Sequence, residues 1–270
     1  MKVFDCTTFY NENMMLELRF NILDPYVDKF VITESKYSHS GEKKKLNFDI
    51  NKFKKFEDKI DYIVIDDLPR DIKNFKKGWD KSHIRDQFQR NSLEKGYKKF
   101  ADEDLIMISD IDEIPDPKKI SEFDINNIYA CFLQRNFQSK INLLNVSDGY
   151  WAGTKICKKK FLKSPQWLRD IKTKKKPFWK FFKKNIQLIN EGGWHFSFLK
   201  NPDSIIKKIK SYAHQEYNVS EFTDLNNIEH KISKGLDLFD RDIKYKKVEI
   251  DETFPDYIRE NKQKLKEWIL

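Results

Sequence analysis

Apolar strand runs alternate with helix-spaced segments through the first 125 residues of the chain. Val3 to Thr8 reads as a first strand, closed by the polar Asn11, Glu12 and Asn13. Met14, Leu18 and Ile22, joined by Met15, recur at helical spacing. A helix therefore follows, capped by Asn11 or Asn13 and stopped at Asp24 and Pro25. Lys29 to Glu34 is a second strand, Ser35 to Lys45 a polar loop, Asp49 to Lys59 a short helix, and Tyr62 to Asp66 a third strand. Trp79 to Phe100 reads as one long helix that leads into a strand over 104–109. This alternation predicts a Rossmann-like α/β/α sandwich with a mostly parallel central sheet, its apolar strands covered on both faces.

Past residue 125 the pattern changes. Ile128 to Gln134, Gly153 to Lys158 and Ile186 to Ser197 read as strands, and 164–173, 202–217, 224–235 and 252–269 as helices. No internal repeat or disordered linker interrupts them. The reading is one domain over 1–242, with a C-terminal helical extension, 243–270, packed on it.

Composition narrows the class. Among 270 residues, 39% are hydrophobic, enough for one sizeable core, and the 35% that are charged mix both signs. The start, Met1 to Cys6, reads as a strand and lacks the apolar stretch of a signal peptide. No segment approaches the roughly 20 apolar residues of a membrane span. Cys6, Cys131 and Cys157 lie far apart in strand-like patterns, as reduced core thiols do, so the expected location is cytoplasmic. A formal charge of +9 favours phosphate-bearing ligands or surfaces, although the richness in Lys, Asn and Ile also fits an AT-rich genome.

The sharpest chemical signal follows the apolar run Leu105 to Ser109, where Asp110, Asp112 and Glu113 stand at the strand's carboxyl end. Ligands of open α/β sheets bind at such ends. Strand alternation puts Asp110 and Asp112 on one side, as oxygen ligands for Mg2+ or Mn2+ that would also hold a diphosphate. A bare pair of this spacing is common; its position after a fourth β unit sets this one apart. Phe9, Asn11 and Glu12 after strand one, with Glu34 after strand two, are candidates to hold a nucleotide's base and ribose, though Asn11 and Glu12 also suit a helix cap. No glycine-rich dinucleotide motif or P-loop is present.

Arg85 or Arg90, on the helix entering the metal strand, could meet a phosphate, with Arg90 favoured; Asp86 and Arg90 are also spaced as an ordinary helix pair. In Glu191-Gly192-Gly193-Trp194-His195, the glycines allow close backbone approach to a ligand. His195 is a candidate third metal ligand or phosphate partner, and Trp194 and Trp151 are candidates to stack on sugar faces. The basic, aromatic stretch 174–184 suits peripheral contact with a membrane surface, and equally a solvated loop.

Together these segments resemble a family. Phe4 to Glu12, Ser109 to Pro115, Gly192 to Ser197, Lys210 to Tyr217 and Gly235 to Arg241 resemble glycosyltransferase family 17, of the GT-A fold. Its best-known members are the β-1,4-mannosyl-glycoprotein β-1,4-N-acetylglucosaminyltransferases. The likeness runs in order from about residue 3 to about 242. It implies an inverting transfer from a UDP-sugar, with N-acetylglucosamine the expected sugar and Mn2+ or Mg2+ as cofactor. Asp110 and Asp112 correspond by position to the metal and diphosphate motif, and His195 and His214 to C-terminal motifs, His214 as an acceptor-binding candidate. Glu191 is the first candidate for the base and Glu113 the second. The resemblance implies a glycan acceptor; the Golgi members' membrane anchor has no counterpart in the sequence, which leaves an oligosaccharide, a glycoprotein and a surface polysaccharide all open. Two rival classes are a metal-dependent phosphoryl-transfer enzyme or nuclease acting on nucleic acid, which is not expected as a partner, and a lectin-like scaffold.

Overall fold

The computed structural model describes residues 1–69, 78–173, 186–211 and 217–270. The strands are β1 (Val3–Thr8), β2 (Lys29–Ser35), β3 (Ile60–Ile65), β4 (Leu105–Ser109), β5 (Glu113–Pro115), β6 (Tyr129–Gln138), β7 (Leu143–Asn145), β8 (Trp151–Lys158), β9 (Gln187–Ile189), β10 (Gly193–Ser197) and β11 (Tyr245–Lys247). The helices are α1 (Asn13–Leu23), α2 (Gly78–Asn91), α3 (Glu94–Tyr97), α4 (Pro165–Asp170), α5 (Pro202–Ser211), α6 (Leu225–Lys234) and α7 (Asp256–Glu260).

The central sheet runs β11-β7-β6-β8-β4-β1-β2-β3. Its first-built part, β3-β2-β1-β4, is wholly parallel. That is the Rossmann-like arrangement the sequence predicts. β8 then pairs antiparallel with both β4 and β6, while β6 takes β9 and β10 as parallel neighbours. The chain leaves β1 toward β2 on one side and returns to β4 on the other. This order makes a switch point at the carboxyl ends of β1 and β4.

Strand alternation sorts the core into two layers. Leu105 and Met107 join Leu16, Phe20 and Phe132 in a cluster under α1 and α7. Ile106 and Ile108 join Phe4, Cys6, Tyr97 and Leu168 on the opposite face. Each fully buried Leu, Ile or Phe contributes about 1.5–3 kcal/mol. All three cysteines are free and buried, as the sequence suggests.

Several boundaries differ from expectation. The long helix over 79–100 is two helices, α2 and α3, with the chain turning at Ser92 and Leu93. The C-terminal extension is not mainly helical. β11 pairs antiparallel with β7, and the stretch expected as one helix over 252–269 holds only α7 and a single 3-10 turn. Phe254, Ile258 and Leu265 still anchor it in the core. Among the described residues no helix is long and apolar enough to cross a membrane. The stretch 174–184 and His214 lie outside the described residues.

Candidate active site

The carboxylate turn is built on a buried ion pair. Arg19 of α1, fully buried, binds Asp5 of β1 through Nε and Nη2 at 2.6 and 2.5 Å. The same guanidinium donates to the Glu113 carbonyl at 2.8 Å and to the Ser109 hydroxyl. Planar, permanently charged arginine can satisfy these acceptors together, so the end of β4 and the start of β5 are fixed from below.

Between those points the chain turns, with the Glu113 amide donating to the Asp110 carbonyl at 3.0 Å. Strand alternation therefore stops at Ser109, although both aspartates line one cavity. Asp110 keeps the facing of Ile106 and Ile108 and meets α2 and α4. Its Oδ1 accepts from Arg90 at 3.0 Å and its Oδ2 from Arg169 at 3.0 Å. Burial works to raise this carboxyl, but Arg169 and Arg90 outweigh it and hold it well below the ordinary carboxylate range. Both oxygens thus accept from arginines, while the side chain, 38% exposed, still lines the cavity described below.

Asp112 meets a different set of partners. Its Oδ1 lies 3.8 Å from His195 Nε2 and its Oδ2 3.7 Å from Lys208 Nζ on α5. The Phe196 amide donates to its carbonyl at 2.8 Å, which ties this residue to β10. His195 Nδ1 meets Asn136 Oδ1 at 3.0 Å, and its ring stacks on Trp151 at 4.4 Å. With Nδ1 on Asn136, Nε2 is the nitrogen that faces Asp112. Lys200 closes this corner, donating to Asn11 Oδ1 at 2.7 Å and standing 3.3 Å from Glu12 Oε1. Burial acts to raise the Glu12 carboxyl, yet Lys200 and Lys208, with the amides of Asn11 and Tyr10, bring it below its ordinary value. Glu12 thus sits between the helix start and the lysines, without capping α1 by a side-chain bond.

Asp110, Asp112, Asn136, His195 and Lys208 line a cavity of about 640 Å3 whose lining also includes Tyr150, Trp151, Tyr217, Phe239, Arg241 and Tyr245. A concave site of this size with few convergent polar groups is suited to a small ligand. Mg2+ and Mn2+ are commonly held by one or two carboxylates, with water and phosphate in the remaining positions. Asp112 supplies one such carboxylate with His195 beside it, and no group of three His, Cys, Asp or Glu side chains gathers for a metal among the described residues.

Other candidates have different roles from those expected. Glu113 is 1% exposed, and both its oxygens are engaged by Arg169, Trp151 Nε1 and the Asp110 amide, so it cannot act as the base. Glu191 and Trp194 line a neighbouring cavity, with Asp116 and Arg135, that shares Tyr150 with the first. Trp194 is 6% exposed and donates to the Thr253 carbonyl at 3.0 Å; successive residues of β10 face opposite sides, so His195 enters the carboxylate cavity and Trp194 does not. Gly192 and Gly193 approach the chain itself and not a ligand. A Cβ at Gly193, where φ is +132°, would stand 2.2 Å from the Ile114 carbonyl oxygen. Phe9 is buried in the core against Phe48. Glu34 is fully buried and accepts from Lys44, Tyr62 and the amides of Asn47 and Phe48, fixing the 36–48 loop. Arg85 serves the same loop, donating to the His39 carbonyl at 3.0 Å.

Arg169, Lys208, Lys200, Arg19 and Asn136 are the site residues that sequence reasoning missed. Lys155 supports one of them. Burial foremost, with Arg169 beside it, lowers its amine to about 8, and it donates to the carbonyls of Arg169 and Ile171 at the end of α4.

Arginine-anchored and lysine-faced, this carboxylate turn lies at the switch point of a Rossmann-like, partly parallel sheet. The chain belongs to glycosyltransferase family 17, whose pattern it matches over residues 1–248. Its chemistry is accordingly glycosyl transfer, from a sugar donor to a glycan acceptor. Among solved structures, that of HddC from Yersinia pseudotuberculosis is similar over 73% of this chain and 91% of that one, at 13% identity and a TM-score of 0.35. Comparison with curated proteins finds no match.

Proposed function

We propose that this protein transfers a sugar, with N-acetylglucosamine the expected one, from a UDP-sugar to a glycan hydroxyl with the aid of Mn2+ or Mg2+. The observation that supports this most is the division of labour in the carboxylate turn. Asp110 is locked by Arg90 and Arg169, and Asp112 faces His195 and Lys208 across an open cavity.

The leaving group of such a transfer is a nucleoside diphosphate that gains negative charge as the glycosidic bond breaks. Lys208, with Lys200 behind it, is placed to meet that charge, which in a partly dehydrated site is an effective form of transition-state stabilisation. Asp112 and His195 would hold the cation, which supplies Lewis-acid neutralisation of the diphosphate. Trp151 keeps the imidazole in plane and, 42% exposed, offers its remaining face to a sugar ring. Asn11 and Glu12, at the carboxyl end of β1, orient Lys200 beside the same corner. Tyr150, Tyr217 and Tyr245 form the wall suited to an acceptor saccharide.

Measuring UDP release from a panel of UDP-sugars with Mn2+, and again after chelation, tests this reading. Metal-dependent turnover of UDP-N-acetylglucosamine is expected. Release from no UDP-sugar under either condition would defeat it.

A further inference from the structure

We infer that Asp148 is the general base that takes the proton from the attacking acceptor hydroxyl. The inference rests on the transferase reading above and on direct displacement by that hydroxyl. Such a displacement needs a proton acceptor on the side of the sugar away from the diphosphate.

Four carboxylates line the cavity among the described residues: Asp110, Asp112, Glu113 and Asp148. Three are committed. Asp110 has an arginine on each oxygen, and Glu113 is buried against Arg169 and Trp151. Asp112 faces His195 and Lys208, in the corner that meets the diphosphate. A carboxylate held by cations resists protonation, since a proton would cost it those interactions.

Asp148 differs on each count. It is exposed at the cavity rim, in the loop 146–150 between β7 and β8, and no lysine or arginine among the described residues forms an ion pair with it. Yet it is held in place. Asn145 Oδ1 accepts from the amides of Ser147 and Asp148 at 2.9 and 3.1 Å, and Asn145 Nδ2 donates to Asp148 Oδ2 at 3.0 Å. The loop is tied to the chain before β11 by Val146 donating to the Lys244 carbonyl and the Lys244 amide to Ser147 Oγ, at 2.9 and 2.8 Å. Oδ2 is thus fixed by an amide, and Oδ1 is left for a substrate. The left-handed turn at Gly149, φ +68°, follows directly and leads to Tyr150 and Trp151 on the saccharide wall.

In the transfer step the acceptor O–H proton passes to Asp148 Oδ1 as the acceptor oxygen bonds to the anomeric carbon. The bond from that carbon to the diphosphate oxygen breaks, its electron pair leaving with UDP. The neutral Asp148 then returns its proton to solvent.

The test follows UDP release from the UDP-sugar that the wild-type enzyme turns over. Asp148→Asn is expected to lower kcat by roughly 10²–10⁴-fold with a saccharide or water as acceptor, and to leave the Kd for UDP unchanged. Sodium azide is a nucleophile with no proton to lose. It is expected to restore UDP release in Asp148→Ala, with a glycosyl azide as product. Wild-type rates in Asp148→Asn, or a folded Asp148→Ala that azide does not rescue, would overturn the assignment while leaving the transferase reading intact. A wild-type protein that releases no UDP would overturn both.

Discussion

Arg169 grips Glu113 with both Nη atoms, at 2.7 and 2.8 Å, and turns the same guanidinium to Asp110 Oδ2 at 3.0 Å. One side chain from α4 therefore orients two residues of the carboxylate turn. Glu113 is 1% exposed, so loss of its partner leaves a buried charge uncompensated. Arg169→Ala should cost about 3–5 kcal/mol in urea unfolding. Arg169→Lys keeps the charge but loses the fork and should fall between the two. An unchanged midpoint for Arg169→Ala would show that the network is not what holds the turn.

Lys208 stands 3.7 Å from Asp112 and 4.8 Å from the Phe198 ring centroid. As a cation meeting the departing diphosphate, it should matter more to turnover than to folding. Lys208→Ala is expected to reduce kcat by roughly 10²-fold, with thermal unfolding close to wild type. Undiminished kcat would remove it from the leaving-group role.

Gly193 tests the β5–β10 junction. Its φ of +132° and the 2.2 Å approach of a Cβ to the Ile114 carbonyl oxygen leave no room for a side chain. Gly193→Ala should cost about 2–5 kcal/mol and carry His195 out of position, so both stability and activity fall. A variant that unfolds with wild type would contradict the register of this junction.

Asp237 gives the fold an acid-sensitive point. Burial opposes its ionisation, but Arg241 Nη2 at 2.7 Å and the amides of Arg241 and Phe239 bring its carboxyl below the ordinary value. A folded-state value below the unfolded one, about 3.9, means stabilisation that is complete above pH 4 to 5. It is lost as pH falls through the folded value. Wild type should lose more unfolding free energy than Asp237→Asn between pH 5.5 and pH 3. Parallel losses would place the acid sensitivity elsewhere.

The alternation of strands and helices up to Ser109 was legible because each apolar run has the length and facing of a covered strand. The position of the carboxylates at the end of β4 was equally legible. Their partners were not. One of the two arginines on Asp110 comes from 59 residues further along the chain, and Lys208 reaches Asp112 from α5. Glu191 and Trp194 were drawn into the site by nearness in sequence to His195, whereas period-2 alternation along β10 puts Trp194 behind the sheet. The stretch 252–269 looked helical because Phe254, Ile258 and Leu265 are anchors at helix-like intervals, though each belongs to a separate short turn.

The proposed function has Asp112 and His195 hold a cation against a nucleotide diphosphate, with Asp110 kept on Arg90 and Arg169. A crystal of the protein with Mn2+ and UDP, recorded at the manganese absorption edge, tests it directly. The account expects one anomalous peak about 2.0–2.3 Å from an Asp112 oxygen, from His195 Nε2 and from the diphosphate, with Asp110 still on its arginines. Diphosphate bound with no peak in that corner, or manganese seated on Asp110 in place of Arg90 and Arg169, would contradict it.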